Sequence, residues 1–190
     1  MKIVTGSTGT NHVTANDDGG LYASIFGEGC YVLSAGDKFP ATVVSNTQVQ
    51  IGAGEGLMYG RHFRTPKGSS DTLTIQAGAA GYNRRDIIAA HYKNVGGFES
   101  VELVVLTGTS STGSATDPAY TQSDISAGAD ECYMPLYRVR LSGVSIAGVD
   151  TLYKVRDLSG SDHVLGDVVV CETAPTSVVN GLWYLVKAEV

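Results

Sequence analysis

The sequence predicts an all-β protein: a sandwich or Greek-key-like main domain with one or two short helices and a small carboxyl-terminal β extension. Two features predict it. Of the 190 residues 24 are glycine and only 17% are charged, a composition that favours short strands and tight turns over amphipathic helices. Apolar residues also recur at every second position in bursts of strand length, separated by Gly, Asn, Asp and Ser. A chain of this length supports one substantial core, or one domain with a small appendage. The expected division is a main domain over 1–148 and an extension over 149–190.

The elements follow in order. Residues 1–16 are too small and polar to fold without something packed against them. Asp17 and Asp18 read as caps of a helical turn near Leu21, since no alternating carboxylate series supplies the further oxygens that calcium needs. From Ala41 to Arg64 the bursts TVVS, TQVQI and LMYGRHF, parted by Ser45-Asn46 and by Gly52, Gly54 and Gly56, form a small meander. Those glycines with Gly60 match a phosphate loop only by count, because strand follows them where a helix amino terminus would have to hold the anion.

TLTIQ (Thr72 to Gln76) alternates again, and Asp86 to Tyr92 is a compact apolar run of strand length. Glu99 to Thr107 is the clearest strand. Val101, Leu103 and Val105 share one face, Glu102, Val104 and Leu106 the other, and the apolarity of both faces predicts a central strand. TGTSSTGSA (Thr107 to Ala115) is an exposed loop. Asp117-Pro118 supplies an N-cap and a first helical residue, predicting a short helix toward Ile125. Tyr133 to Ser142 alternates Tyr137, Val139 and Leu141 against Leu136, Arg138 and Arg140, a strand wet on one face. Thr151 to Arg156, Val168 to Cys171 and Trp183 to Lys187 are three further short strands.

Composition and motifs exclude several function classes. A net charge of −6 and a pI near 5.1 argue against general nucleic-acid affinity, which needs a surplus of Lys and Arg. MKIVTGSTGT lacks the apolar core of a secretion signal, and the longest apolar runs, Leu103 to Leu106 and Val168 to Cys171, fall far short of the ~20 residues of a membrane span. Cys30, Cys132 and Cys171 are too scattered for a zinc site and read as buried thiols. His12, His62, His91 and His163 form no H-E-x-x-H pair and read as surface or hydrogen-bonded structural residues. Gly143 to Gly148 is one residue too long for a nucleophile elbow. No catalytic, cofactor-binding or metal-binding residue is assigned, no cofactor is expected, and the chain is expected not to be an enzyme.

Charge is segregated along the chain. Between Arg61 and Lys93 stand Arg61, Arg64, Lys67, Arg84, Arg85 and Lys93 against Asp71 and Asp86, whereas from Asn94 to Tyr137 the only charges are Glu99, Glu102, Asp117, Asp124, Asp130 and Glu131. Either identical subunits meet basic side to acidic side, or the charges pair within one subunit. Ten tyrosines are the palette of recognition surfaces and sugar platforms.

TGSTGTNHVTANDDGGLYASIFGEGCYVL (Thr5 to Leu33) is a dense amino-terminal signature. It is followed in order by GLMYGRHFRT (Gly56 to Thr65), GYNRRDIIAAHY (Gly81 to Tyr92), ESVELVVLTGT (Glu99 to Thr109), ATDPAYTQSDI (Ala115 to Ile125) and MPLYRVRLSGV (Met134 to Val144). These blocks resemble phage tail and baseplate proteins of Gram-positive phages and prophages, in particular the amino-terminal virion-attachment domain of baseplate upper and receptor-binding proteins. The likeness fades beyond about Val149. It suggests a short helix in the first block, which Gly20 weakens, and Cys30 stands where the pattern is usually polar or acidic.

The resemblance implies a structural virion component of a tail tip or baseplate, made in the host cytoplasm. It would act as a homo-oligomer, trimer or hexamer, bound to other tail or baseplate proteins and carrying host-recognition elements. The alternative is a carbohydrate-binding host-recognition module gripping cell-wall sugar. A cell-wall hydrolase would need two carboxylates ~5–10 Å apart in a cleft, and the sequence shows no such pair.

Overall fold

The computed structural model describes residues 4, 5, 9, 12–156, 164, 165, 168–171, 173, 174, 176 and 183–186. The chain is all-β, with one short helix among the described residues. It divides into two units, Met1–Arg156 and Asp157–Val190. The first holds α1 (Ala15–Phe26), β1 (Cys30–Leu33), β2 (Ala41–Ser45), β3 (Gln48–Ile51), β4 (Gly54–Met58), β5 (Arg61–Thr65), β6 (Asp71–Thr74), β7 (Asn83–Val95), β8 (Phe98–Leu106), β9 (Glu131–Ser142), β10 (Ser145–Thr151) and β11 (Val155–Arg156). The second holds β12 (Val164–Leu165), β13 (Val168–Cys171) and β14 (Trp183–Val186), in the order β12-β13-β14 with the last pair parallel. β10 is continuous across the expected boundary after Gly148, and the first unit runs on to Arg156.

In the first unit the strand orders are β11-β1-β4-β5, β10-β9-β7-β8 and β2-β3-β6. The meander expected from Ala41 to Arg64 does form four strands, but it splits after Ile51, so that β2-β3 and β4-β5 join different sheets. Inward residues of all three sheets share one core. Val32 of β1, Val49 and Ile51 of β3, Met58 of β4, Ile88 and Tyr92 of β7, and Met134 and Val139 of β9 pack together there, closing a sandwich in the manner of stacked sheets.

The longest ladder is β7 on β9, from Asn83↔Ser142 to Lys93↔Glu131. β7 extends past the apolar run at both ends. At one end Arg84 and Asp86 neutralise each other; at the other the turn Gly96-Gly97, with φ of 61° and 87°, folds β8 back directly, as a two-residue hairpin with left-handed central residues requires.

Three expectations need correction. β8 is an edge strand, bonded to β7 alone in its sheet; two apolar faces report that faces are shielded and say nothing about whether both edges are paired. The segment from Pro118 to Ile125 is not a helix. The Asp117 carboxylate accepts from Arg138 Nε at 2.7 Å instead of capping, and Thr121 O accepts from Tyr133 N at 2.9 Å, which holds the segment extended along β9. Leu136, expected on the wet face of β9, is fully buried. Pro135 cannot donate to the ladder, and the register shifts there between Ile88 and Ala89, a bulge that turns Leu136 inward.

Candidate functional site

α1 is the first element among the described residues, within the segment that carries the amino-terminal signature. Its start is a capping box: Asp17 N donates to Thr14 Oγ1 at 3.3 Å and Thr14 N donates to Asp17 Oδ2 at 2.7 Å. Asp17 and Asp18 also lie at the positive end of the helix dipole. The capping role expected for the Asp17-Asp18 pair is thus placed on Asp17, and the turn near Leu21 is a full helix of 12 residues.

One face of α1 docks through Gly19, its only buried residue, against the β4-β5 turn Tyr59-Gly60. Arg61, the next residue, ties the helix to the sheets. Its guanidinium donates to Ala15 O at 2.9 Å, to Asn16 Oδ1, and through Nε to Glu99 Oε2 at 3.0 Å, while Tyr92 Oη donates to Glu99 Oε1 at 3.0 Å. The Arg61 guanidinium holds the Glu99 carboxyl below its usual range. Burial, then the hydrogen bond to Glu99, pushes the Tyr92 hydroxyl up to about 12.

α1, and Val13 just before it, leave large apolar side chains exposed. Leu21 is 56% exposed, Ile25 50% and Val13 48%, and Val4, Val13 and Leu21 line a hollow of about 500 Å³ bordered by Asp17 and Asp18. Apolar side chains grouped on a surface offer a place for a partner to cover.

The segregated charges of the sequence meet within the unit. Arg61 pairs with Glu99, Lys93 with Glu102, and both Arg85 and Arg138 with Asp117. Hydrogen bonding lowers the Asp117 carboxyl, chiefly through Arg138, and the Glu102 carboxyl through Lys93. The β7-β8 hairpin sets Lys93 against Glu102, and the packing of β5 against β8 and of the Asp117 segment against β7 and β9 joins the others.

The histidines are dispersed. His62 Nε2 lies 2.9 Å from Glu55 Oε2. His91 stacks on Tyr133 with ring centroids 4.0 Å apart and its Nε2 2.7 Å from Glu131 Oε1. His12 Nε2 lies 3.0 Å from Val4 O, and His163 lies outside the described residues. Among the described residues no three His, Cys, Asp or Glu side chains come together as a metal site would require. Ser145 of the Gly143 to Gly148 segment opens strand β10, and Gly54 and Gly56 lie inside β4, so neither glycine motif precedes a helix.

Two groupings were invisible in the sequence. Tyr31, Tyr59, Tyr120 and Tyr153 gather with Gln122 and Lys154 around a groove of about 350 Å³. Cys30, half-buried on β1, meets Cys132, fully buried on β9. In each case the residues come from elements far apart in sequence, and only the stacking of sheets joins them.

No helix among the described residues is long and apolar enough to cross a membrane. Compared with protein-family models and with curated protein sequences, the chain matches none.

Proposed function

We propose that this chain is a structural component of a phage tail tip or baseplate, acting in the virion by homo-oligomeric assembly and by attachment of host-recognition elements. The observation that carries the reading is the exposed apolar group at α1, Leu21 and Ile25 on the helix and Val13 just before it. It lies within Thr5 to Leu33, the amino-terminal signature that resembles virion-attachment domains. Association would cover these side chains and gain the hydrophobic free energy that the single chain forgoes. No residue turns over substrate in this reading.

Light scattering of the purified chain tests it. A trimer or hexamer is expected, converted to monomer by Leu21→Asp with Ile25→Asp while the circular dichroism spectrum is kept. A wild-type chain that stays monomeric at every concentration overturns self-assembly through these side chains.

The tyrosine groove supports a second reading, a carbohydrate-binding host-recognition module. Aromatic rings offer apolar faces to sugar C–H groups, and Gln122 with Lys154 offers polar contacts. Glycan-array binding lost in Tyr120→Ala would favour it; no binding to any cell-wall glycan would end it.

A further inference from the structure

Cys30 and Cys132 stand roughly a hundred residues apart in sequence. They belong to different sheets, Cys30 opposite Met58 and Cys132 opposite Tyr92. Cys132 is part of the common core, and Cys30 packs against that core from the β1 side. Cys30 also lines the tyrosine groove together with Met134, which is two residues from Cys132 and therefore on the same face of β9. One cysteine of the pair therefore faces a solvent-accessible groove and the other lies directly behind it.

The two thiols are neighbours, and their proximity lowers the Cys132 thiol and, together with burial, raises that of Cys30. The pair loses its first proton as a unit, leaving one thiolate shared between the two sulfurs. A buried cysteine that serves only as a small hydrophobe needs no such partner.

We propose that Cys30 and Cys132 form a dithiol site that a low-molecular-weight disulfide of the glutathione type converts into an intrachain disulfide joining β1 to β9. Exchange begins on the groove side. In the singly deprotonated pair the remaining proton passes to Cys132 as the Cys30 sulfur attacks one sulfur of the reagent; the reagent's S–S bond breaks, and one glutathione leaves as thiolate. Cys132 then gives up that proton to solvent, and its thiolate attacks the Cys30 sulfur of the mixed disulfide and displaces the second glutathione. Two cysteine thiols are oxidised to one disulfide, the reagent is reduced to two thiols, and the two protons released by the cysteines end on the departing glutathiones. The bond would close a long loop across the sandwich, which stabilises chiefly by restricting the unfolded chain.

The test uses the native full chain, incubated with oxidised glutathione, alkylated, and mapped by peptide mass spectrometry. A linked peptide pair containing Cys30 and Cys132 is expected, with Cys171 still alkylated and a melting temperature that rises on oxidation and returns on reduction. Cys30→Ser should leave the Cys132 thiol unoxidised and its melting temperature insensitive to the reagent. A glutathione adduct that persists on Cys30, a link to Cys171, or both thiols unchanged in the folded protein overturns the proposal. Should Cys30→Ser fail to fold, the wild-type map decides alone.

Discussion

The carbonyl oxygen of Gly19 in α1 occupies the space that a β-carbon on Gly60 would need. Helix and hairpin meet backbone to backbone, and Gly60 sits at φ 83° in the β4-β5 turn, so a side chain is excluded twice, by contact and by conformation. The same closeness brings Arg61 within reach of Ala15 O and fixes how α1 sits.

Gly60→Ala should therefore destabilise the first unit by ~2–4 kcal/mol, combining overpacking with left-handed strain. For a chain of this size that lowers the melting temperature by roughly 4–16 °C. Gly36→Ala is the control, because Gly36 has φ 73° with nothing near its would-be β-carbon; it carries the strain alone and should cost ~1–2 kcal/mol. Equal losses in the two variants, measured by thermal circular dichroism, would show that the close approach contributes nothing.

Thr14→Ala removes the hydroxyl half of the capping box, the acceptor of Asp17 N, while the backbone half from Thr14 N to Asp17 Oδ2 stays available; it should cost ~1 kcal/mol, concentrated in α1. Hydrogen exchange reads this locally. Amides of the first turn should exchange faster in Thr14→Ala and at the wild-type rate in Thr14→Ser, whose hydroxyl restores the cap. An unchanged pattern in Thr14→Ala would mean that Gly19 and Arg61 hold the helix without its cap.

Strand positions were largely legible in the sequence, because period-two alternation is a local signal that packing then uses. β7 and β9 show where that legibility ends. Arg84 and Asp86 look like a polar boundary to the apolar run, yet they lie within the strand since each satisfies the other. Leu136 breaks alternation because Pro135 forces a bulge. The extended course of 118–125 depends on Arg138 reaching Asp117 across β9, which no local rule anticipates. Nor could spacing reveal Cys30 beside Cys132, or the tyrosine groove, because each is made by sheets meeting face to face.

Acid should weaken the fold through Glu99 and Asp117. Each carboxyl sits below its ordinary value of 4.5 or 3.8, held there first by Arg61 and Arg138 respectively. The unfolded chain takes up these protons at higher pH than the folded one does. The stability they contribute is complete above the ordinary values and is lost as pH falls from there through the lower folded values. The melting temperature should be level down to about pH 5 and then fall. Asp117→Asn should melt lower at neutral pH and lose less on acidification; a parallel shift of the whole curve would remove Asp117 from the account.

The costliest single change outside the apolar core is expected at Asp86. Its carboxylate, fully buried, accepts from Arg84 Nε at 2.8 Å and from Gly108 N at 2.9 Å, while the buried Arg84 guanidinium also donates to Gln76 O and, at 3.4 Å, to Ala77 O. Asp86→Ala leaves a guanidinium out of water without its counter-charge, a loss of ~3–5 kcal/mol. Replacing both members, Arg84→Met with Asp86→Leu, removes the orphaned charge and should recover part of that loss. It does not recover all, because Gly108 N and the Gln76 carbonyl each lose a partner, at ~1–3 kcal/mol for each group left unsatisfied. Urea midpoints of the wild type, the single variant and the double variant check the order. If the double variant is no more stable than Asp86→Ala, the hydrogen bonds to the 76–77 and 108 segments, and not the ion pair, are what the buried charges are there to make.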